Sequence, residues 1–298
     1  MAKLKEIQLK ISGVKKTKQI TSAMKMVASS KLRGAQMSME AFRPYAGKYA
    51  EVLGSLAERA GDQASPLLEP REEVKKVGIV LCTSDRGLCG GFNSGLINKA
   101  ISLLKEYSEK NIEVSFTNFG KKGFDWCRNN NKVVEEKHLG IIGSRFGFNI
   151  ASVAGRKMID GFLDGTYDEV YVVYSEFLNM ARQVPAVKKL LPIPPIEVEG
   201  EGIEEAEEEG FMAEHICEPS PDELLNEMLP KNVYIQLFSA FLETSTSEHA
   251  ARMTAMDNAT RACNDMITEL KTIFNKARQA AITADLMDIV GGAEALKG

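Results

Sequence analysis

The sequence predicts an α/β domain with a largely parallel sheet, set between two long terminal helices that pair as an antiparallel coiled coil. Three observations predict it. Residues 231–290 run for sixty positions without a proline or glycine. The N-terminal stretch steps its apolar residues by three and four. Between the two ends, short β-rich runs alternate with helical segments.

At the N-terminus Leu4, Ile7, Ile11 and Val14 step by 3, 4 and 3, and the stripe is expected to resume with Ile20, Met24, Val27, Ala35 and Phe42, with no proline before Pro44. This is the first coiled-coil helix, residues 1–58. Residues 77–82, 112–118, 133–137 and 169–174 read as strands, and 94–110, 121–129 and 149–163 as helices. The alternation indicates a Rossmann-like α/β domain over residues 74–196, closed by Pro185, Pro192, Pro194 and Pro195. Residues 197–221 form an acidic connection with eight Glu between Glu197 and Glu209, which reads as a solvated linker.

Residues 222–298 are the second coiled-coil helix. Sixty helical residues at about 1.5 Å each reach roughly 90 Å, more than a compact domain of this size can enclose, so the helix is expected to project. Leu242, Met253, Met256, Cys263, Ile267, Leu270, Phe274, Ala277 and Ala281 make its seam, weakened by Thr246, His249 and Thr260 on the same face. Burying each large apolar side chain contributes roughly 1.5–3 kcal/mol, so the two terminal helices are expected to cover one another.

A net charge of −4 conceals an uneven distribution: residues 1–43 hold ten Lys or Arg against Glu6 and Glu40. Such a basic segment suits an acidic partner. Cys82, Cys89, Cys127, Cys217 and Cys263 are odd in number and show no Cys-x-x-Cys spacing, so neither a disulfide framework nor a zinc site is indicated. No apolar run is long enough to span a membrane and the start has no hydrophobic signal core, so any membrane role is expected to be peripheral.

The turn SDRGLCGGFN, residues 84–93, follows a strand and precedes a helix, where a phosphate cradle would lie. Its spacing fits neither standard fingerprint: no Gly-Lys-Ser or Gly-Lys-Thr follows, and glycines at 87, 90, 91 and 95 do not make Gly-x-Gly-x-x-Gly. It reads instead as a tight turn whose glycines supply positive φ and close packing. His138, His215 and His249 lie far apart and read as surface or packing residues, and Cys89 beside Arg86 lacks a general base. No catalytic, cofactor or metal site is indicated. Arg278, near the end of the long helix, offers a planar fork for carboxylates, with Gln279 beside it.

Three segments then take on a shared meaning. KKTKQITSAMKMVASSKLRGAQ, SDRGLCGGFN, and the final stretch from SEHAARMTAMDNATRACNDM through KARQAAITADLMDIVGGAEAL closely resemble the γ subunit of F-type proton-translocating ATP synthases, in order and over essentially the whole chain. The resemblance implies a rotor without catalytic activity. Its coiled coil would stand as a single copy inside a ring of three α and three β subunits, with the α/β domain beside the ε subunit and the c-subunit ring. It implies no cofactor and no nucleic-acid partner. It places Arg278 and Gln279 against an acidic loop of the β subunit, Met24 and Lys25 against the C-terminal part of β, and Arg252 at a position implicated in coupling. Glu218 falls at the foot, towards the c ring.

Gln8, Cys217 and Asp285 depart from residues common in that family. With no inserted cysteine pair of the chloroplast kind and no mitochondrial presequence, the resemblance implies a bacterial protein peripheral to the inner membrane on its cytoplasmic side. Two other classes are distinguishable by experiment. A nucleotide-binding enzyme would bind nucleotide stoichiometrically, and a nucleic-acid tether would bind DNA or RNA with steep salt dependence.

Overall fold

The structure, a computed structural model, describes residues 2–59, 65–194 and 220–295. Its elements in order are α1 (Ala2–Arg59), β1 (Lys76–Cys82), α2 (Phe92–Glu109), β2 (Glu113–Phe119), α3 (Lys121–Asn129), β3 (Val133–His138), α4 (Phe148–Leu163), β4 (Glu169–Phe177), β5 (Gln183–Leu191) and α5 (Pro221–Ala295). The chain divides into two compact units. One comprises Lys31–Ala251, the other Met1–Ser30 with Arg252–Gly298.

The first unit is built on a five-stranded sheet in the order β3-β2-β1-β4-β5. Four strands are parallel, and β5 runs antiparallel to β4. β1 is central and almost wholly apolar, and every residue of it after Lys76 is buried, as expected of a strand covered on both faces. Val77, Ile79, Leu81, Leu96, Phe116 and Val173 form the heart of the core. On one side Tyr107 and Tyr171 both donate hydrogen bonds to Glu169, at 2.6 and 3.1 Å, and Lys189 binds its other oxygen at 2.6 Å. Burial alone would raise the Glu169 carboxyl, but these donors outweigh it and hold the group below its ordinary range.

One element differs from the expectation. Pro185 does not end the domain but lies inside β5, opposite Ser175 of β4. Both main-chain groups of Ser175 bond to α5 and not to β5, so Ser175 and Pro185 are a non-hydrogen-bonded pair. The nitrogen of Pro185 therefore faces the free outer edge, where a missing N–H costs the ladder nothing.

The part of α5 in this unit is apolar enough to be buried, with Leu225, Leu229, Leu237 and Phe241 all closed off from solvent. Phe238 meets Phe42 of α1 edge-on at 4.8 Å, and Phe241 lies 4.3 Å from Phe119 at the end of β2. Gly155 on α4 lets the Tyr234 ring approach: a Cβ there would stand 2.5 Å from a ring carbon. Leu242, Thr246 and His249, expected on the α5 seam, are all buried in this unit.

The second unit is an antiparallel helix pair. Thr21 of α1 meets Thr260 of α5, their hydroxyls 2.8 Å apart, and Lys25 meets Asp257 at 2.6 Å. As one number rises by four the other falls by three, which fixes the direction. On α5 the expected seam is observed: Met253, Met256, Thr260, Cys263, Ile267, Leu270, Phe274, Ala277 and Ala281 are buried or half-buried. On α1, Leu4, Ile7, Ile11 and Val14 are as expected, but Ile20 and Val27 are 59% and 58% exposed. Thr21 and Ala28, at 9% and 2%, replace them. The 3-4 step from Val14 leads through residues 18 and 21 to 25 and 28, and geometry overrides side-chain polarity here.

Candidate partner interface

The glycine turn is closed on itself. Asn93 accepts from the Ser84 amide at 3.0 Å through Oδ1, and its Nδ2 donates to Ser84 Oγ at 2.8 Å and to Cys89 Sγ at 3.1 Å. Asp85 ties down the start of α3 and the loop after β3, accepting from the amides of Lys121 and Gly140, each at 3.1 Å. Only Gly90 among the turn's glycines has positive φ, and Leu88 shares that conformation. Gly95 serves close packing, since a Cβ there would lie 3.1 Å from Pro185. In sheets of this winding, ligands enter where strand order reverses, between the carboxyl ends of β1 and β4. Here that position is taken by α5, whose Thr244 and Ser247 bind Ser175 just past the point where β1 stops pairing.

The histidines are placed by packing. His138 stacks on Phe119 at 4.5 Å and pairs with Glu136 at 3.0 Å. His249 is buried, and His215 lies outside the described residues. Cys89 is buried beneath the turn.

The helix pair carries the cations that the sequence singles out without bringing them all together: Arg278 lies about 31 Å of helix beyond Asp257, the partner of Lys25. Met24 and Lys25 are half-buried on α1, Arg252 is half-buried on α5, and Arg278 and Gln279 are exposed on α5 immediately after the seam residue Ala277. Asp257 accepts Lys25 on one oxygen and Arg261 on the other, both at 2.6 Å. The hydrogen bond from Lys25, aided by Arg261, holds the Asp257 carboxyl below its ordinary range. The local charge is one in excess, and it is carried outward by Arg261, 74% exposed. Sequence reasoning did not single out Asp257 or Arg261. Their i,i+4 spacing is a legible signal, but the meeting with Lys25, 232 positions away, is not.

Further along α5, Ile282, Leu286, Met287, Ile289 and Val290 are all exposed. Large apolar side chains left exposed within nine residues of one helix are of the kind that contact surfaces carry. Glu218 and most of the acidic connection lie outside the described residues. Among the described residues no helix is long and apolar enough to cross a membrane, and no cluster of metal-ligating side chains occurs.

A self-closed turn, a sheet crevice filled by the chain's own helix, and a helix pair bearing cations and uncovered apolar residues suit a protein that works through partners. A family model described as ATP synthase matches residues 3–296. The ATP synthase gamma chain of Desulfosudis oleivorans is 67% identical over 299 residues, covering 100% of both chains. The chain belongs to the ATP synthase gamma-chain family. The gamma chains of Desulforapulum autotrophicum, at 62% identity over 298 residues, and of the Miyazaki strain of Nitratidesulfovibrio vulgaris, at 52%, match along 99% and 100% of this chain and all of their own length.

Solved structures carry the same fold. A chain of the Euglena gracilis mitochondrial ATP synthase, from a structure of OSCP, F1 and c-ring, superposes with a TM-score of 0.66 at 19% identity, covering 99% of this chain and 95% of that one. One from the central stalk and c-ring structure of the Tetrahymena thermophila enzyme gives 0.56 at 23%, covering 80% and 99%. The gamma chain is the non-catalytic central-stalk subunit of the ATP synthase complex.

Proposed function

We propose that the chain turns as a single-copy shaft inside the ring of α and β subunits and couples ion flow through the c ring to ATP synthesis or hydrolysis on β. The observation that supports this reading is the uneven surface of the helix pair: Lys25 and Arg261 meet at Asp257 on one stretch, and Ile282, Leu286, Met287, Ile289 and Val290 stand exposed near the end of α5, so its sides are not alike. Such a rod cannot offer three equivalent β subunits the same contacts, so each is biased towards a different nucleotide affinity, and rotation passes those states around the ring. Moving one two-state equilibrium from 1:99 to 99:1 needs roughly 5.5 kcal/mol of differential contact energy. A few desolvated charged contacts reach that scale, because truncating one partner of such a pair costs about 2–5 kcal/mol.

On this reading Met24, Lys25, Arg252, Arg278 and Gln279 meet β. Residues 1–58 and 222–298 act as the shaft. Residues 74–196, with the connection 197–221 and Glu218, form the foot beside the ε subunit and the c ring. The chain then lies on the cytoplasmic face of a bacterial inner membrane, held there by its partners. The test is reconstitution: purified α and β subunits of the same organism are assayed for ATP hydrolysis with and without the chain. Stimulation of turnover by the chain is expected, and equal turnover in its presence and absence refutes the reading.

A further inference from the structure

Two buried hydroxyls of α5 serve as a strand for the edge of β4. The pairing of β1 with β4 ends at Leu81 opposite Val173, whereas β4 continues to Phe177. The main-chain groups of Ser175 that face the β1 side therefore lie beyond their partner strand. Thr244 accepts a hydrogen bond from the Ser175 N–H at 3.2 Å, and Ser247 donates to the Ser175 carbonyl at 3.2 Å. Glu243, the neighbouring residue, accepts from the Phe177 amide. Thr244 and Ser247 are wholly buried and Ser175 nearly so.

The chemistry of these contacts differs from that of the rest of the α5 seat. Phe238 and Phe241 hold the helix near the sheet, but apolar burial is non-directional and tolerates a helix that rolls about its axis. Hydrogen bonds weaken steeply away from linearity. Two of them, from positions i and i+3 of one helix to the N–H and the carbonyl of one residue, admit one rotational setting.

We propose that Thr244, Ser247 and Ser175 form a keyed joint that fixes the rotational setting of α5 on the sheet and carries turning force between them. The residues act as positioning residues, and the proposal rests on the shaft reading. Without the joint the sheet domain stays attached through its aromatic contacts but yields when the helix is turned.

The test uses membrane vesicles containing the complete complex, in which ATP hydrolysis and ATP-driven ion pumping are measured together, with amide exchange at Ser175 followed in parallel. In the double variant Thr244→Val, Ser247→Ala, Ser175 exchange is expected to rise. Hydrolysis is expected to stay within about twofold of the original while ions pumped per ATP fall by about fivefold or more, because kinetic competence and coupling are separable. Thr244→Ser with Ser247 kept, which preserves both bonds, is expected to leave the ratio at its original value. A double variant with raised exchange at Ser175 and an unchanged pumping ratio overturns the joint. If the double variant does not accumulate, Ser247→Ala alone is expected to give an intermediate ratio, and an unchanged ratio there overturns the proposal equally. A complex that hydrolyses ATP but pumps nothing with the original chain contradicts the shaft reading itself, and the joint with it.

Discussion

Replacement of Gly120 by alanine is expected to lower the melting temperature of the chain by about 8–16 °C, the shift that roughly 4 kcal/mol produces in a protein of this size class. Gly120 stands where the ends of three strands meet. Its amide donates to the His138 carbonyl at the end of β3, while the Thr83 amide, just past β1, donates to Phe119 at the end of β2. Its φ of 110° and ψ of 147° lie close to a region that only glycine occupies. A Cβ would be 2.1 Å from the Thr83 carbonyl oxygen and 2.7 Å from its carbon. The obstacle is backbone, so no rotamer change relieves it, and the conformational cost of about 1–3 kcal/mol adds to an overpacking cost of similar size. Gly140→Ala is the control. It shares positive φ, at 76°, but its Cβ would meet nothing within 4 Å, so only the smaller conformational cost is expected. Thermal unfolding followed by circular dichroism distinguishes the two, and equal melting temperatures for both variants contradict the packing argument.

The second large effect is expected at the far end of α5. Arg278→Ala combined with Gln279→Ala should lower the ATP turnover of the reconstituted complex at least tenfold, which corresponds to about 1.4 kcal/mol, below the 2–5 kcal/mol associated with breaking a desolvated charged contact. Both side chains are exposed on a helix whose neighbouring seam residue, Ala277, is half-buried, so the substitutions remove surface groups and leave the pair intact. The melting temperature of the isolated chain should move little, since surface changes of this kind stay within about 0.5 kcal/mol. Arg278→Lys should recover only part of the activity, because an ammonium lacks the planar fork. Unaltered turnover in the double variant would remove these two residues from the β contact. Lost turnover with a lost fold would show the effect to be structural.

Much of this architecture was legible in the chain itself, and the failures have identifiable causes. β1 was visible as an uninterrupted apolar run, and the bounds of α3 coincide with those expected. The α5 seam followed from spacing alone, small and polar residues included. β5 is not legible in the sequence because Pro185 reads as a terminator, whereas an edge strand tolerates a proline whose nitrogen faces outward. On α1 polarity misled: Ile20 and Val27 looked like seam residues, but the helical phase delivers Thr21 and Ala28. In the glycine turn, Leu88 takes a conformation that composition would assign to a glycine.

The site was legible in a different way. The expectation that Met24, Lys25 and Arg252 meet a partner rests on motif resemblance alone, whereas Arg278, with Gln279 beside it, also stands out by its chemistry near the end of the long helix. The bond between Lys25 and Asp257, and the two hydroxyls of α5 that complete β4, join residues far apart in sequence and exist only once the chain has folded. Periodicity reports which face of an element is buried. It does not report which long-range partner a polar residue on that face will meet.

Rotation of the chain within its complex can be observed directly. The α and β subunits, reconstituted with the chain, are fixed to a surface, and a bead is attached through Lys99→Cys on the exposed side of α2. With ATP supplied, the bead is expected to turn in one direction and to dwell at three angles per revolution, one for each β subunit. A bead that stays still, or diffuses through all angles, while the same assembly hydrolyses ATP at its stimulated rate would contradict the shaft reading.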